Sequence, residues 1–179
     1  MKKGLLIGIG LILLLIGVLF DKTIINFIFG NRISSLNTTI GIITTLGSAL
    51  FVFILSTLLF GYDKEGRKYI PALWLTLVIA LGITVVLKYF VARPRPLVPA
   101  LQIKTDYSFP SSHAAGVFAP LVLVDSLFPK LKWVWLSLAV LVLFSRIYLG
   151  VHYLSDVIGG ALIGYITGII ILRVSKISF

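Results

Sequence analysis

The stretch S-R-I-Y-L-G-V-H-Y-L-S-D, from Ser145 to Asp156, places ionisable residues in a chain that is otherwise almost entirely apolar. Ionisable side chains at membrane depth are costly and usually face a cavity or a partner. His152 and Asp156 are four residues apart, which would put them on one face of a helix. The carboxylate could then hold one imidazole nitrogen and leave the other basic, while Arg146 offers donors for phosphate oxygens. The pattern indicates attack by His152 on a phosphoryl group.

The composition indicates a polytopic membrane protein. Of 179 residues, 59% are hydrophobic and 12% are charged, whereas a soluble domain carries about twice that charged fraction. There is no cysteine and there are only two histidines, which excludes thiolate metal sites and disfavours a zinc site. The net charge of +10 comes from basic residues without a continuous patch, which argues against nucleic-acid binding. We expect one domain spanning residues 1–179.

Six apolar runs predict an all-α bundle of six transmembrane helices. They cover about residues 4–20, 39–60, 69–91, 111–128, 133–149 and 153–173. Residues 21–38, which are polar and turn-rich, are predicted to form a loop. The first run also has features of a signal peptide, but no small-residue cleavage pattern follows it, so we expect a retained helix.

Three glycines, Gly160, Gly164 and Gly168, recur at every fourth residue of the sixth run. Small residues at this spacing let membrane helices approach closely. Such a face can serve contacts within the bundle or between subunits, and the pattern does not decide between them. The oligomeric state therefore stays open.

The distribution of lysine and arginine predicts the orientation of the bundle. With a cytoplasmic N-terminus, the inner segments carry the larger share of basic residues: Lys2, Lys3, Lys64, Arg67, Lys68, Lys130, Lys132, Arg173 and Lys176. The outer segments carry the smaller share: Lys22, Arg32, Arg93, Arg95 and Lys104. We expect both termini to be cytoplasmic, which places His152 at the extracytoplasmic end.

The third run ends at that same predicted face with a cluster of cations. Lys88, Arg93 and Arg95 lie there, and Pro94 and Pro96 between and after the arginines stop the helix because proline has no backbone N–H. Three cations at a helix end are costly unless an anion compensates them. For Lys88 alone, snorkelling to the interface is the alternative interpretation.

The fourth run begins at that face with Pro110-Ser111-Ser112-His113. Either serine could cap the helix. The free N–H groups of a helix N-terminus also form an anion site. Capping alone would not need His113, which could donate a proton to a leaving oxygen.

Together, these motifs resemble those of the type 2 phosphatidic acid phosphatase (PAP2) family, whose superfamily includes vanadium-dependent haloperoxidases. The three motifs are K-x6-R-P from Lys88, P-S-x-H from Pro110, and S-R-x5-H-x3-D from Ser145. The resemblance covers about residues 39–173. The family most often has glycine where Ser112 stands, but serine keeps the backbone N–H that this position supplies.

The resemblance implies a PAP2/haloperoxidase-like helical core and a metal-independent lipid phosphatase. His152 would attack phosphorus to form a phosphohistidine, Asp156 would orient it, and His113 would protonate the leaving alcohol. Five residues would hold the phosphate: Lys88, Arg95, Ser111, Ser112 and Arg146. Arg93 would contact the headgroup. No metal or cofactor is implied, since fixed cations stabilise the transferring phosphoryl group.

The resemblance also implies a lipid phosphate monoester or pyrophosphate as substrate, taken from the bilayer by an enzyme of the bacterial inner membrane. Phosphatidylglycerophosphate, phosphatidic acid, lipid A 1-phosphate and undecaprenyl pyrophosphate all fit, and our leading expectation is a phospholipid or lipid A phosphate. A lipid phosphotransferase with the same site is one alternative. A lipid-binding transporter is another, although it would have no use for His113 and His152. The pH optimum is not predicted.

Overall fold

The computed structural model describes residues 3–175, apart from the side chain of Lys3, and this part of the chain is helical without β-strands. The elements in chain order are α1 (Lys3–Gly30), a 3-10 helix (Ser34–Leu36), α2 (Asn37–Leu46), α3 (Ala49–Tyr62), α4 (Lys64–Arg67), α5 (Ile70–Val91), α6 (Ser112–Phe118), α7 (Leu121–Leu127), α8 (Lys132–Tyr148) and α9 (Leu154–Val174). Lys2 and Lys176, which contributed to the predicted orientation, lie outside the described residues.

The helical segments agree in order with the six predicted runs. Within the described residues, α1, α5 and α9 are each long and apolar enough to cross a membrane. The segment Ser34–Leu46 and α3, bent by 59° at their junction, would make a fourth span. The remaining two segments, α6 with α7 and the 17-residue α8, are shorter. The all-helical membrane fold is confirmed, while the number of six spans stays a prediction.

The first helix is longer than predicted. We expected it to end near Phe20 and a loop to follow, but α1 continues to Gly30. Asp21, the first residue after the apolar run, is 3% exposed and paired with Arg93. A compensated carboxylate need not leave the helix to reach water, so the loop prediction for residues 21–30 was wrong.

Two other predicted helices are interrupted. The second run breaks at Gly47 and Ser48, and the Ser48 hydroxyl accepts a hydrogen bond from the N–H of Phe51 to start α3. The fourth run is divided between α6 and α7 at Pro120, which has no N–H to continue the backbone ladder. Periodicity alone did not reveal either break.

Helix α9 lies at the centre of the fold, against α1, α5, α6 and α7. Its three glycines account for the close approach to α6. A Cβ atom added at Gly160 would lie 2.3 Å from the carbonyl oxygen of Ser111, and one added at Gly164 would lie 2.2 Å from that of Ala115. The glycine face therefore serves contacts within the bundle.

The outside of the bundle is apolar. Side chains such as Leu19, Val86 and Phe90 are exposed on α1 and α5, while Val52, Leu73, Val117 and Val142 form part of the buried core. Exposed aliphatic and aromatic side chains along long apolar helices are typical of a lipid-facing surface.

Candidate active site

The three motifs meet at one end of the bundle. The first follows α5, which ends at Val91 with Ala92 in the left-handed conformation (φ 49°) before the prolines. The second starts α6, where the N–H of Ser111 donates to the carbonyl oxygen of Asp156 at 3.0 Å. The third connects α8 to α9. A contact of 3.4 Å between Arg95 Nη1 and His152 Nε2 joins the first motif to the third.

His152 is buried between a carboxylate and a guanidinium. It lies two residues before α9, not within it, and its side chain is 3% exposed. Its Nδ1 atom is 3.5 Å from Asp156 Oδ2 and makes no hydrogen bond to another residue in the described part of the chain. Its Nε2 atom faces Arg95. The ring thus has one nitrogen toward the Asp156 carboxylate and the other toward the Arg95 guanidinium.

Asp156 is held at both carboxylate oxygens. Oδ2 accepts the N–H of Tyr153 at 2.8 Å, a capping contact that starts α9 at Leu154. Oδ1 accepts Arg93 Nη1 at 2.7 Å. The side chain is fully buried, so these contacts restrict its rotation next to His152.

Arg93 has its guanidinium engaged on both sides. Nη1 donates to Ser155 Oγ at 2.6 Å as well as to Asp156, and Nη2 donates to Asp21 Oδ2 at 2.7 Å. Burial alone would lower the pKa of the Arg93 guanidinium, but the hydrogen bond to Asp21 and the charges of Asp156 and Asp21 outweigh burial and raise it. The headgroup contact foreseen for Arg93 stays a prediction, and the geometry favours a role in holding Asp156.

Lys88 and Arg95 share the carboxylate of Asp106. Lys88 Nζ lies 3.0 Å from Asp106 Oδ2, and Arg95 Nη2 lies 2.6 Å from Oδ1. Lys88 also donates to the carbonyl oxygen of Tyr107 at 2.5 Å, and Arg95 donates to that of Val151 at 2.5 Å. Lys88 is 6% exposed, so it is buried and paired here and does not snorkel.

Arg146 and Ser111 retain free hydrogen-bonding capacity. Arg146 is 1% exposed; its Nη1 donates to Thr44 Oγ1 at 2.5 Å and to Gln102 Oε1 at 3.1 Å, while its Nε has no partner in the described part of the chain. The Ser111 hydroxyl is likewise buried without a partner there, and it does not cap α6. A buried polar group without a partner is costly, so both atoms are suited to a ligand.

The other two residues of the second motif lie beside this cluster. Ser112 Oγ contacts Thr84 Oγ1 of α5 at 3.1 Å. His113, in the first turn of α6, is half-buried, and Arg146 and His152 lie close enough to act on it electrostatically.

Several residues of this cluster were missed in the sequence. Thr44, Gln102 and Ser155 are uncharged and carry no local signal. Asp21 and Asp106 could have been noticed from the sequence, because acidic residues are few in this chain. No group of His, Cys, Asp or Glu side chains in the described part of the chain has the arrangement of a metal site.

The fold and the site define a membrane-embedded phosphatase. Residues 69–178 match the family model of the PAP2 superfamily, and the chain belongs to this superfamily. The resemblance inferred from the three motifs is thereby confirmed, as is the class of enzyme.

Two relatives are similar to this chain in sequence along most of its length. An undecaprenyl-diphosphatase of Sulfolobus acidocaldarius is 36% identical over 81% of this chain and 73% of its own length. Phosphatidylglycerophosphatase B of Bacillus subtilis is 35% identical over 72% of this chain and 70% of its own length.

Two crystal structures have the same architecture. A PAP2-type phosphatidylglycerolphosphate phosphatase of B. subtilis aligns with a TM-score of 0.81 over 100% of this chain and 98% of that one, at 23% identity. LpxE of Aquifex aeolicus aligns with a TM-score of 0.74 over 86% of this chain and 95% of that one, at 30% identity. These likenesses extend the match in fold beyond residues 69–178 to the preceding helices.

Proposed function

We propose that this protein hydrolyses a lipid phosphate ester or pyrophosphate at the extracytoplasmic face, without a metal, through a phosphohistidine on His152. The observation that carries the proposal is the buried imidazole, which has Asp156 beside Nδ1 and Arg95 beside Nε2. In this arrangement Nε2 is the nitrogen that faces a bound phosphate.

In the first step, the electron pair of His152 Nε2 forms a bond to phosphorus. The bond from phosphorus to the lipid oxygen breaks, and that oxygen takes its proton from the His113 imidazolium. Lys88, Arg95 and Arg146 stabilise the charge on the phosphoryl oxygens, which is the main task of a protein in phosphoryl transfer. Asp156 stabilises the positive charge that develops on His152.

In the second step, a water molecule attacks the phosphorus of the phosphohistidine. Neutral His113 accepts a proton from this water, and the electron pair of the N–P bond returns to Nε2. Phosphate leaves, and His113 is protonated again for the next cycle. One residue thus acts first as an acid and then as a base.

A lipid substrate is supported by the surface next to the site. In the loop between α5 and α6, Leu97 is 100% exposed and Ile103 is 94% exposed. Together with the apolar outside of α1 and α5, these side chains are suited to contact with lipid. The relatives are named for different lipids, so the first substrates to compare are undecaprenyl diphosphate and phosphatidylglycerophosphate, followed by phosphatidic acid and lipid A 1-phosphate.

The test is phosphate release by the purified protein from these four lipids, with EDTA present throughout. We expect release by the wild type and none by His152→Ala. His113→Ala should hydrolyse the lipids slowly but stay partly active on p-nitrophenyl phosphate, because the leaving group of that substrate needs no acid. Since the second step also needs His113, the phosphoryl-enzyme should accumulate in this variant and be detectable with a labelled phosphate group. Phosphate transferred to a lipid acceptor instead of water would indicate a phosphotransferase. Full activity of His152→Ala would refute the phosphohistidine mechanism.

A further inference from the structure

Helix α1 presents one buried face to the rest of the protein. Among its described side chains, only Gly17, Asp21 and Ile25 are buried, each four residues from the next. They therefore form a single stripe along the helix, and the residues around them are exposed or half-buried and mostly apolar. A carboxylate in such a stripe is costly unless it is compensated, so Asp21 requires an explanation.

Gly17 brings this stripe against the start of α9. A Cβ atom added at Gly17 would lie 3.0 Å from the backbone nitrogen of Ser155 and 3.1 Å from its Cα. Any larger residue would push the two helices apart. This close approach lets Asp21, one turn further along, reach the residues that surround Asp156.

Both carboxylate oxygens of Asp21 are used there. Oδ1 accepts the N–H of Ser155 at 3.0 Å, and Oδ2 accepts the Ser155 hydroxyl at 2.5 Å and Arg93 Nη2 at 2.7 Å. The carboxylate thus ties the first turn of α9 and the loop after α5 to α1.

Arg93 transmits this constraint to the catalytic centre. Its guanidinium is rigid and planar, so fixing Nη2 on Asp21 also sets where Nη1 meets Asp156 Oδ1, at 2.7 Å. The ring of Tyr153 lies 4.2 Å below the guanidinium and limits its tilt. Without Asp21, Nη2 loses its partner and Arg93 keeps only the contacts of Nη1 and the Tyr153 ring, so the guanidinium can tilt and shift Asp156 Oδ1 relative to His152.

We propose that Asp21 is a positioning residue for catalysis, which holds Asp156 through Arg93 and so orients His152. Helix α1, which lies outside residues 69–178, is then a part of the active site. The inference rests on the proposed function, in which His152 is the nucleophile and Asp156 its partner.

The test compares kcat and KM of two variants with matched controls. Asp21→Asn is paired with Asp125→Asn, which breaks the 2.7 Å ion pair to Lys132 near the end of α7. Gly17→Ala is paired with Gly8→Ala on the same helix, where an added Cβ would meet nothing within 4 Å. Thermal unfolding in detergent is measured for all four, together with the phosphate release of His152→Ala.

Asp21→Asn and Gly17→Ala should lower kcat about tenfold to a hundredfold, since a displaced catalytic group loses rate steeply, while KM changes little because the phosphate-binding cations are untouched. Both controls should retain the wild-type kcat. Asp21→Asn added to Arg93→Gln should be no slower than Arg93→Gln alone, because its effect passes through Arg93.

Other results would overturn the inference. Asp21 would have no role in positioning if folded Asp21→Asn kept the wild-type kcat or lost no more kcat than Asp125→Asn. The same conclusion would follow if the losses of kcat in Asp21→Asn and Arg93→Gln multiplied in the double variant. If Asp21→Asn does not fold, Gly17→Ala decides by comparison with Gly8→Ala. An inactive His152→Ala beside fully active Asp21→Asn and Gly17→Ala would refute this inference alone, whereas an active His152→Ala or an inactive wild type would refute the proposed function with it.

Discussion

Asp106 places its two carboxylate oxygens on the two cations expected to bind the substrate phosphate. The distances, 3.0 Å to Lys88 and 2.6 Å to Arg95, are those of charge-assisted hydrogen bonds. A phosphate bound by the same two cations would have its oxygens where the carboxylate oxygens of Asp106 lie. The carboxylate is therefore expected to compete with the substrate phosphate.

Replacing Asp106 by asparagine should strengthen phosphate binding. The inhibition constant of inorganic phosphate should fall by up to about fivefold, since a half-exposed ion pair contributes up to about 1 kcal/mol. The measurement is inhibition of lipid hydrolysis. Asp63→Asn, in the loop that leads to α4, is the control and should leave the constant unchanged. A weaker inhibition in Asp106→Asn would mean that the carboxylate holds the cations in place for the substrate.

The same carboxylate predicts a change of stability in acid. Burial alone would raise the pKa of Asp106, but hydrogen bonds from Arg95 and Lys88 outweigh it and lower the pKa from 3.8 to about 2. A pKa depressed by folding stabilises the protein above the unfolded value, and this contribution is lost as the pH falls through the folded value. Wild type should unfold at a higher temperature than Asp106→Asn at neutral pH, and the gap should close between about pH 4 and about pH 2. A constant gap would contradict this assignment.

The packing of α9 on α6 predicts a strong effect of one methyl group. At Gly164, an added Cβ would lie 2.2 Å from the carbonyl oxygen of Ala115 and 2.9 Å from the nitrogen of Ala119. Both contacts are backbone atoms, which cannot turn aside as a side chain can. Gly164→Ala should therefore destabilise the protein by about 1–3 kcal/mol and lower its unfolding temperature.

The control for this change is Gly82→Ala in α5, where an added Cβ meets nothing within 4 Å. Both substitutions replace glycine by alanine inside a helix, so they share the same change in helix propensity. Gly82→Ala should not lower the unfolding temperature. Equal losses in the two variants would mean that the distance between α6 and α9 does not limit stability.

The orientation of the whole molecule can be tested with cysteine labelling, because the chain contains no cysteine. Lys104→Cys lies in the loop expected outside, and Lys64→Cys lies in the short helix expected inside; both positions are exposed. In intact cells, a membrane-impermeant maleimide should label Lys104→Cys at once and Lys64→Cys only after permeabilisation. The parent chain supplies the unlabelled background. The reverse pattern would place the active site on the cytoplasmic side.

The sequence alone was sufficient to predict that this is a membrane protein, to which family it belongs and in which order its helical segments follow. Hydropathy and proline are local signals, so the ends of α5, α8 and α9 lie within one residue of the predicted runs. The motif residues were identifiable for the same reason, since Lys88, Ser111 and His152 stand at characteristic spacings in an apolar background.

The partners of those residues were decided by the tertiary structure. Arg93 meets Asp21 across 72 positions of the chain, and Arg146 meets Thr44 across 102. No local pattern specifies such a pair, because it depends on how closely two helices pack. For Asp21 that distance is set by Gly17 of α1, which lies against Ser155 at the start of α9. The counter-charge that Asp21 finds on Arg93 within the bundle also explains why α1 continues through this residue, since the carboxylate does not need water.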